Sequence, residues 1–116
     1  MNIYVAGPMR GIPFFNFPAF CKATAELRSK GHFVFNPAER DNDRHGTDIS
    51  EGNTAGCELL AAKQHGFNLR EALHDDLEFI CLKADAIALL PGWEKSKGAN
   101  AEYATAVALG LEIIYL

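Results

Sequence analysis

Residues 2–8 have the sequence NIYVAGP, and this stretch decides the fold class. The run Asn2–Ala6 is short, mostly apolar and rich in residues that favour β-strands, and Gly7 and Pro8 end it abruptly. A short apolar run closed by two turn-forming residues predicts a buried first strand. The elements that follow must then pack against that strand.

Strands and helices alternate along most of the remaining sequence. Helical spacing of apolar residues begins after Asn16 and Pro18 and ends at Gly31. Similar patterns predict further strands at His32–Phe35, Asp85–Leu90 and Glu112–Leu116, and further long helices at Leu69–Ala84 and Ala99–Leu109. Alternating strands and helices predict an α/β domain with a parallel sheet and helices on both of its faces.

Residues 38–53 interrupt this alternation, because they are polar and show no apolar period. We expect a long loop there, of a kind that in small domains usually serves as a lid or a binding loop or is disordered. A short helix is predicted at Ala55–Gln64, where Gly66 would stop it.

Size and charge limit the classes of function. The 116 residues favour a single domain over residues 1–116. The net charge of −4 provides no basic surface for a nucleic-acid polymer, although a small anionic ligand needs only one or two local cations. No apolar run approaches the roughly 20 residues that span a bilayer, and Met1 leads into the first strand without a signal peptide. We therefore expect a cytoplasmic protein that binds neither a membrane nor a nucleic-acid polymer.

The spacing of cysteine and histidine is not that of a metal centre. Cys21, Cys57 and Cys81 form no CxxC pair, and the histidines form no HxH or HExxH pattern. Cys21 and Cys81 fall within apolar helical patterns, so we expect them to be free, buried thiols. We expect neither a bound metal nor a cofactor.

Two loops leave the carboxyl ends of predicted strands, where open parallel sheets bind their ligands. The first is Gly7–Gly11 (GPMRG), whose two glycines let a ligand approach the backbone closely. Its arginine, Arg10, has a planar fork that suits a phosphate or a carboxylate. The alternative is a plain turn with a solvated arginine, and composition alone favours neither.

The second loop, Pro91–Gly98 (PGWEKSKG), runs directly into a predicted helix, whose first backbone N–H groups can bind an anion. Ser96 adds a hydroxyl group, and Lys95 or Lys97 adds positive charge. The indole of Trp93 could stack on a base or another ring. The alternative is a basic surface loop with a tryptophan that covers the edge of the core. The GxxxxGK[ST] order of a P-loop is absent.

Two carboxyl groups could act as catalytic groups in this cleft, one as a nucleophile and one as a general acid. Glu102 is predicted in the first turn of the helix after the second loop, where the helix dipole would keep it ionised, as a nucleophile requires. Asp76 falls on the flank of the apolar stripe of the Leu69–Ala84 helix, which suits a general acid, whereas Asp75 should be solvated. The alternatives are a glutamate that only stabilises the helix dipole and an aspartate on a helix surface.

Four short motifs occur in the order found in one enzyme superfamily. They are YVAGPMRG at residues 4–11, DLEFI at residues 76–80, AD at residues 84–85 and SKGANAE at residues 96–102. The set resembles the nucleoside 2-deoxyribosyltransferase superfamily, and within it the short phage and bacterial members with GPMRG and LPGWEKSKGA motifs. The 2′-deoxynucleoside 5′-monophosphate N-glycosidases are a related branch. The resemblance covers nearly the whole chain except residues 38–66.

The resemblance implies a three-layer Rossmann-like or flavodoxin-like domain that cleaves an N-glycosidic bond. It implies that Glu102 attacks the anomeric carbon, that Tyr4 positions this carboxylate, and that Asp76 donates a proton to the departing base. Its implied phosphate-binding residues are Gly7, Arg10, Ser96 and Gly98. Members of the superfamily usually dimerise and lend residues across the interface, so we expect a homodimer.

Two functions remain open at the level of sequence. The first is an N-glycosidase or deoxyribosyltransferase for a deoxynucleoside or a nucleoside 5′-monophosphate, in which the sugar intermediate passes to water or to another base. The second is a non-catalytic module of the same fold that binds or sequesters a nucleotide, which the lysine-rich loop and Trp93 fit equally well. A purely structural protein would leave Tyr4, Asp76 and Glu102 unexplained.

Overall fold

A computed structural model describes residues 1–45 and 68–116 of the chain. Its strands are β1 (Asn2–Ala6), β2 (Phe33–Phe35), β3 (Ala86–Leu89) and β4 (Glu112–Tyr115). Its α-helices are α1 (Phe17–Ser29), α2 (Pro37–His45), α3 (Leu69–Leu82) and α4 (Lys97–Ala108). Short 3₁₀ helices at Pro13–Asn16 and Trp93–Lys95 precede α1 and α4.

The described strands form one sheet in the order β2-β1-β3-β4, and every neighbouring pair is parallel. In the register of this sheet, Ile3 lies beside Val34 on one side and beside Ala86 on the other. The two central strands are almost completely buried, whereas β4 is half exposed at the edge. The predicted α/β class with a short parallel sheet is confirmed.

Alternating side chains of the central strands pack into two apolar clusters, one on each face of the sheet. Ile3 and Val5 belong to a cluster that includes Phe20 of α1. Tyr4 and Ala6 belong to a second cluster, whose other members come from β3, α3 and α4. Helices therefore cover both faces, and the domain has the expected three layers.

Side-chain caps define where two of the helices begin. The side-chain oxygen of Asn68 accepts a hydrogen bond from the Glu71 N–H at 3.1 Å, and the Ser96 hydroxyl oxygen accepts one from the Ala99 N–H at 3.2 Å. Caps of this kind contribute about 1 kcal/mol each. Because Ser96 is the cap, α4 begins at Lys97, and Glu102 lies in its second turn rather than in the predicted first turn.

Residues 37–45 form α2, although residues 38–53 were expected to be a loop, so that expectation is wrong for this part. The Asn36 side chain accepts a hydrogen bond from the Ala38 N–H at 2.9 Å, and Pro37 follows it at the start of the helix. Among residues 37–41, Pro37, Ala38 and Asp41 are buried, too few apolar positions for a visible period. The rest of the predicted loop and the helix predicted at Ala55–Gln64 lie outside the described residues.

Cys21 and Cys81 are exposed free thiols, which corrects the expectation that they are buried. Cys21 follows Phe20, the buried core position of α1, and therefore points toward solvent. Cys81 likewise follows the buried Ile80 in α3. Cys57 lies outside the described residues. No helix within residues 1–45 and 68–116 is long and apolar enough to cross a membrane.

Candidate functional site

The site lies where β1 and β3 end side by side, at the carboxyl edge of the sheet. The chain passes from β1 to β2 on one side and returns to β3 on the other, which makes this edge a topological switch point. The Leu90 N–H donates to the Ala6 carbonyl at 2.8 Å. A Cβ atom at Gly7 would lie 2.7 Å from the Leu90 Cβ, so only glycine lets the two loops meet here.

A cavity of about 80 Å³ at this edge, here called the inner pocket, is lined by residues from β1 and all four described helices. Its polar wall includes Tyr4, Asp41, Asp76 and Glu102, and Arg10 and Ser96 lie at its border with the loops. Its apolar wall includes Phe15, Phe17, Phe20, Leu69 and Leu73. Gly7 and Gly98 line it as well, so the structure places seven of the predicted site residues around one cavity.

A buried hydrogen bond joins β1 and α4 inside the inner pocket. The Tyr4 hydroxyl donates to Oε2 of Glu102 at 2.7 Å. Tyr4 is fully buried, and Glu102 is 6% exposed. The Tyr4 ring stacks on Phe35 at 5.6 Å between ring centroids, which holds the phenol in place. Tyr4 therefore orients Oε2 of Glu102 within the pocket.

The environment of Glu102 favours its protonated form. Burial raises the pKa of Glu102 well above its usual value, and the negative charge of Asp76 adds to this. The hydrogen bond from Tyr4 acts in the opposite direction but is weaker. We expected the helix dipole to keep Glu102 ionised, but its pKa is raised instead, because the side chain is buried in the second turn of α4. Burial also raises the pKa of Tyr4, so its hydroxyl stays a hydrogen-bond donor.

Asp76 lies in α3 opposite Glu102 and is 8% exposed. A hydrogen bond with the Asp76 carboxyl is among the causes that raise the pKa of Glu102 and of Tyr4, so the three groups form one cluster. The neighbouring Asp75 points elsewhere, where Arg40 donates to its Oδ2 at 3.3 Å. Asp75 is half-buried by this contact rather than fully solvated as expected.

A third buried carboxyl group, Asp41, was missed at the level of sequence. It lines the inner pocket from α2 and is 4% exposed. Its negative charge contributes to the raised pKa of Glu102, which shows that the two groups interact through the pocket. The sequence shows no apolar period that would indicate α2. Asp41 was therefore predicted to lie in a loop and was not considered as a residue that lines the pocket.

A left-handed turn also contributes to the pocket. Phe14, Phe15 and Asn16 have φ angles of 55°, 54° and 61°. This conformation costs non-glycine residues roughly 1–2 kcal/mol each. Phe15 is nevertheless buried in the pocket wall, with its ring 5.9 Å from that of Phe17. Strain of this kind concentrates at functional sites, where the surrounding packing must maintain it.

A second, more open cavity of about 570 Å³ adjoins the inner pocket between the two loops, and we call it the outer groove. Its volume lies within the range of roughly 300–1,000 Å³ that is typical of small-ligand sites. Its lining includes Lys95 and Lys97, and it shares Arg10 and Ser96 with the inner pocket. The N-terminus of α4 opens at this boundary, so positive side chains and backbone N–H groups face the same space.

Two predicted binding residues do not line either cavity. Trp93 lies in the 3₁₀ helix before α4 and packs on Tyr103, with 4.7 Å between the ring centroids. It packs against the second apolar cluster and covers the edge of the core, as the alternative interpretation proposed. Gly11 has a φ of +79° and forms a turn beyond the groove. This φ favours glycine, and the ligand contact expected of Gly11 stays a prediction.

Within the described residues, one group of side chains has the composition of a possible metal site. His74, Asp75 and Glu78 have potential ligand atoms within 4.8 Å of one another on the surface of α3. Arg40 already donates to Asp75 there, and exposed acidic groups of this kind are common without a metal. The group does not contribute to the inner pocket.

A family model described as a domain of unknown function (DUF4406) matches residues 1–115. The chain belongs to the DUF4406 family. No curated protein and no solved structure matches it.

The match covers both loops and all of the polar residues of the inner pocket in this DUF4406 chain. Tyr4, Asp76 and Glu102 therefore all lie within the residues that the family model matches.

Proposed function

We propose that this DUF4406 chain cleaves the N-glycosidic bond of a nucleoside 5′-monophosphate or a deoxynucleoside, by hydrolysis or by transfer of the sugar to another base. The observation that carries the proposal is the buried 2.7 Å hydrogen bond from Tyr4 to Glu102, with Asp76 in the same cluster. The motif resemblance to nucleoside 2-deoxyribosyltransferases supports the same reaction. It also supports a cytoplasmic homodimer as part of the proposal.

In the first step, Oε1 of the Glu102 carboxylate attacks the anomeric carbon, and the electron pair of the C1′–N bond moves to the base. A proton on Asp76 passes to the departing base. The charge of Asp76 is among the causes that raise the pKa of Glu102, so the two carboxyls interact closely enough to share one proton. In the reactive form that we propose, this proton is on Asp76. Glu102 then becomes the nucleophile and Asp76 the acid.

In the second step, water or a second base attacks the anomeric carbon of the sugar ester on Glu102. The Asp76 carboxylate accepts the proton from the attacking group, and the Glu102 carboxylate leaves. The Tyr4 hydroxyl keeps the carboxylate oriented through both steps, since burial raises its pKa and prevents its ionisation.

The outer groove supplies a place for the 5′-phosphate. Arg10 offers two parallel N–H donors, and the hydroxyl proton of Ser96 can still be donated while its oxygen caps α4. Gly98 leaves open space near these groups, because a Cβ atom there would have the Ser96 Oγ at 4.0 Å as its nearest neighbour. A phosphate in this position would benefit from the N–H groups of α4.

A second function is a non-catalytic module that binds or sequesters a nucleotide. One specific observation favours it, namely the raised pKa of Glu102, because a protonated carboxyl is not a nucleophile. In this alternative the inner pocket would hold the base and the outer groove the phosphate without any bond being broken.

Release of free base distinguishes the two functions. The protein is incubated with a panel of nucleoside 5′-monophosphates and deoxynucleosides, and free bases are separated by chromatography. We expect release from at least one substrate and its loss in Glu102→Ala, with circular dichroism as the control for folding. Tight binding without release in the folded wild-type protein would favour the binding module instead.

A further inference from the structure

The two adjoining cavities differ in the sign of their charge. Of the described residues that line the inner pocket, three are acidic, namely Asp41, Asp76 and Glu102, and Arg10 at its mouth is basic. In the outer groove the charged lining among these residues is Arg10, Lys95 and Lys97. A ligand that spans both cavities therefore meets positive charge at one end and negative charge at the other.

Burial strengthens the electrostatic effect of the acidic residues in the inner pocket. Asp41, Asp76 and Glu102 are 4%, 8% and 6% exposed, so their charges are weakly screened by solvent. The negative charges of Asp76 and Asp41 both raise the pKa of Glu102, so each of them repels the ionised Glu102 carboxylate. A positive ligand group in the pocket would relieve this repulsion and favour the carboxylate form of Glu102.

The walls of the inner pocket also fit an aromatic ring. Phe15, Phe17 and Phe20 line one side, and Leu69 and Leu73 of α3 line another. A flat cation between aromatic and acidic groups is a favourable arrangement, because ring faces and carboxylates both attract positive charge.

We infer that the substrate class of this site is a nucleoside 5′-monophosphate whose base is a cationic ring, such as a pyridinium. The inference rests on the proposed function and narrows it. The 5′-phosphate lies in the outer groove with Arg10 and Lys97, and the cationic base lies in the inner pocket near Asp41 and Asp76.

A cationic base simplifies the reaction. The C1′–N⁺ bond breaks, its electron pair stays on the ring nitrogen, and the ring leaves as a neutral molecule without needing a proton. Oε1 of Glu102 forms the bond to C1′, and water then displaces the carboxylate, with its proton passing to Asp76. Asp76 therefore acts on the leaving ring through its charge rather than as an acid.

The test compares nucleotides that differ in the charge of the base. The probes are nicotinamide mononucleotide, nicotinic acid mononucleotide, whose ring carries an additional carboxylate, and the four standard ribo- and deoxyribonucleoside monophosphates. We expect kcat/KM for nicotinamide release to exceed that for each other probe by about tenfold or more, because one buried charge interaction has at least this size.

Two variants examine the source of this preference. Asp41→Asn keeps the shape of the side chain but removes its charge, so the ratio of nicotinamide to nicotinic acid release should fall by about tenfold. Asp75→Asn is the matched control, since Asp75 lies one residue from Asp76 but contacts Arg40 outside the pocket. We expect it to change the ratio by less than about twofold.

The outcomes separate this inference from the proposed function. Release of neutral bases as fast as nicotinamide, or equal cleavage of the two pyridine nucleotides, would overturn the cationic-base inference and leave the glycosidase proposal standing. An unchanged ratio in folded Asp41→Asn would also overturn it. No release from any probe by folded protein would overturn both.

Discussion

The inner pocket and the outer groove are neighbours that share Arg10 and Ser96, yet they are built in opposite ways. The inner pocket has buried carboxyls on α2, α3 and α4, whereas the outer groove has exposed lysines where the 3₁₀ helix Trp93–Lys95 leads into α4. In the proposed enzyme the first provides the reaction and the second provides binding. On this proposal, burial rather than charge alone distinguishes the groups that react from the groups that bind the ligand. Variants on the two sides should therefore differ in which kinetic constant they change.

The largest effect is expected from Glu102→Gln, which keeps the size of the side chain but removes the nucleophile. We expect base release to fall by about 10³-fold or more, with KM little changed. Steady-state kinetics with the best substrate of the panel measures both constants. Glu78→Gln on the exposed side of α3 is the control and should retain the wild-type rate. A Glu102→Gln protein with more than a tenth of wild-type turnover would remove Glu102 from its proposed role.

Tyr4→Phe is expected to have the second largest effect. The change removes the 2.7 Å hydrogen bond to Glu102 and leaves a buried carboxylate oxygen without that donor. Hydrogen bonds to charged groups contribute about 1.5–3 kcal/mol, so kcat should fall roughly 10- to 100-fold. Loss of the donor should also move the acidic limb of the pH–rate profile to higher pH, because this bond lowers the pKa of Glu102. A profile identical to that of the wild type would contradict the positioning role.

Arg10→Ala examines the outer groove and should affect binding rather than turnover. We expect KM for 5′-monophosphates to rise by about tenfold, and KM for the matching free nucleosides to stay nearly constant. Lys22→Ala, on the exposed surface of α1, is the control. If Arg10→Ala weakens nucleosides and nucleotides equally, the phosphate does not lie in the outer groove.

The smallest expected effect concerns stability and pH. Burial raises the pKa of Glu102, so the folded protein keeps this proton over a range in which the unfolded chain, with a pKa near about 4.3, has lost it. The folded state then binds more protons, and its stability falls as pH rises through that range. Glu102→Gln lacks this dependence. Its free energy of unfolding relative to the wild type should therefore be higher at about pH 8 than at about pH 4.5 in urea titrations. A difference that is equal at both pH values would contradict the raised pKa.

The sequence was sufficient for the parts of the fold that depend on local apolar patterns. The run Asn2–Ala6 is β1 with the same bounds, and the predicted helices coincide with α1, α3 and α4 apart from their ends. Burial of an apolar stripe or run drives each of these elements, so its period is visible along the chain. The α2 helix was not predicted, since it packs through Ala38 and Asp41 and shows no such period.

The site was predicted in part for a related reason. The loops after β1 and β3 meet as the switch-point rule requires, and motif resemblance supplied Tyr4, Asp76 and Glu102. The direction of the pKa shift of Glu102 was predicted incorrectly, because the helix dipole is a local property whereas the burial of this side chain depends on α2, α3 and β1 together. Asp41 and Phe15 were missed for the same reason. The partner of Trp93 is Tyr103, which lies ten residues further along the chain in α4, so the loop sequence alone does not indicate this contact.

A covalent sugar adduct on Glu102 tests the central claim most directly. The protein is mixed with the 2′-deoxy-2′-fluoro analogue of its best substrate, which slows release of the sugar, then quenched in acid and digested for mass spectrometry. The account predicts one sugar phosphate on the peptide that contains Glu102, released base in equal amount, and no adduct in Glu102→Gln. Rapid base release from the natural substrate with no adduct in the wild type, or an adduct on another residue, would contradict it.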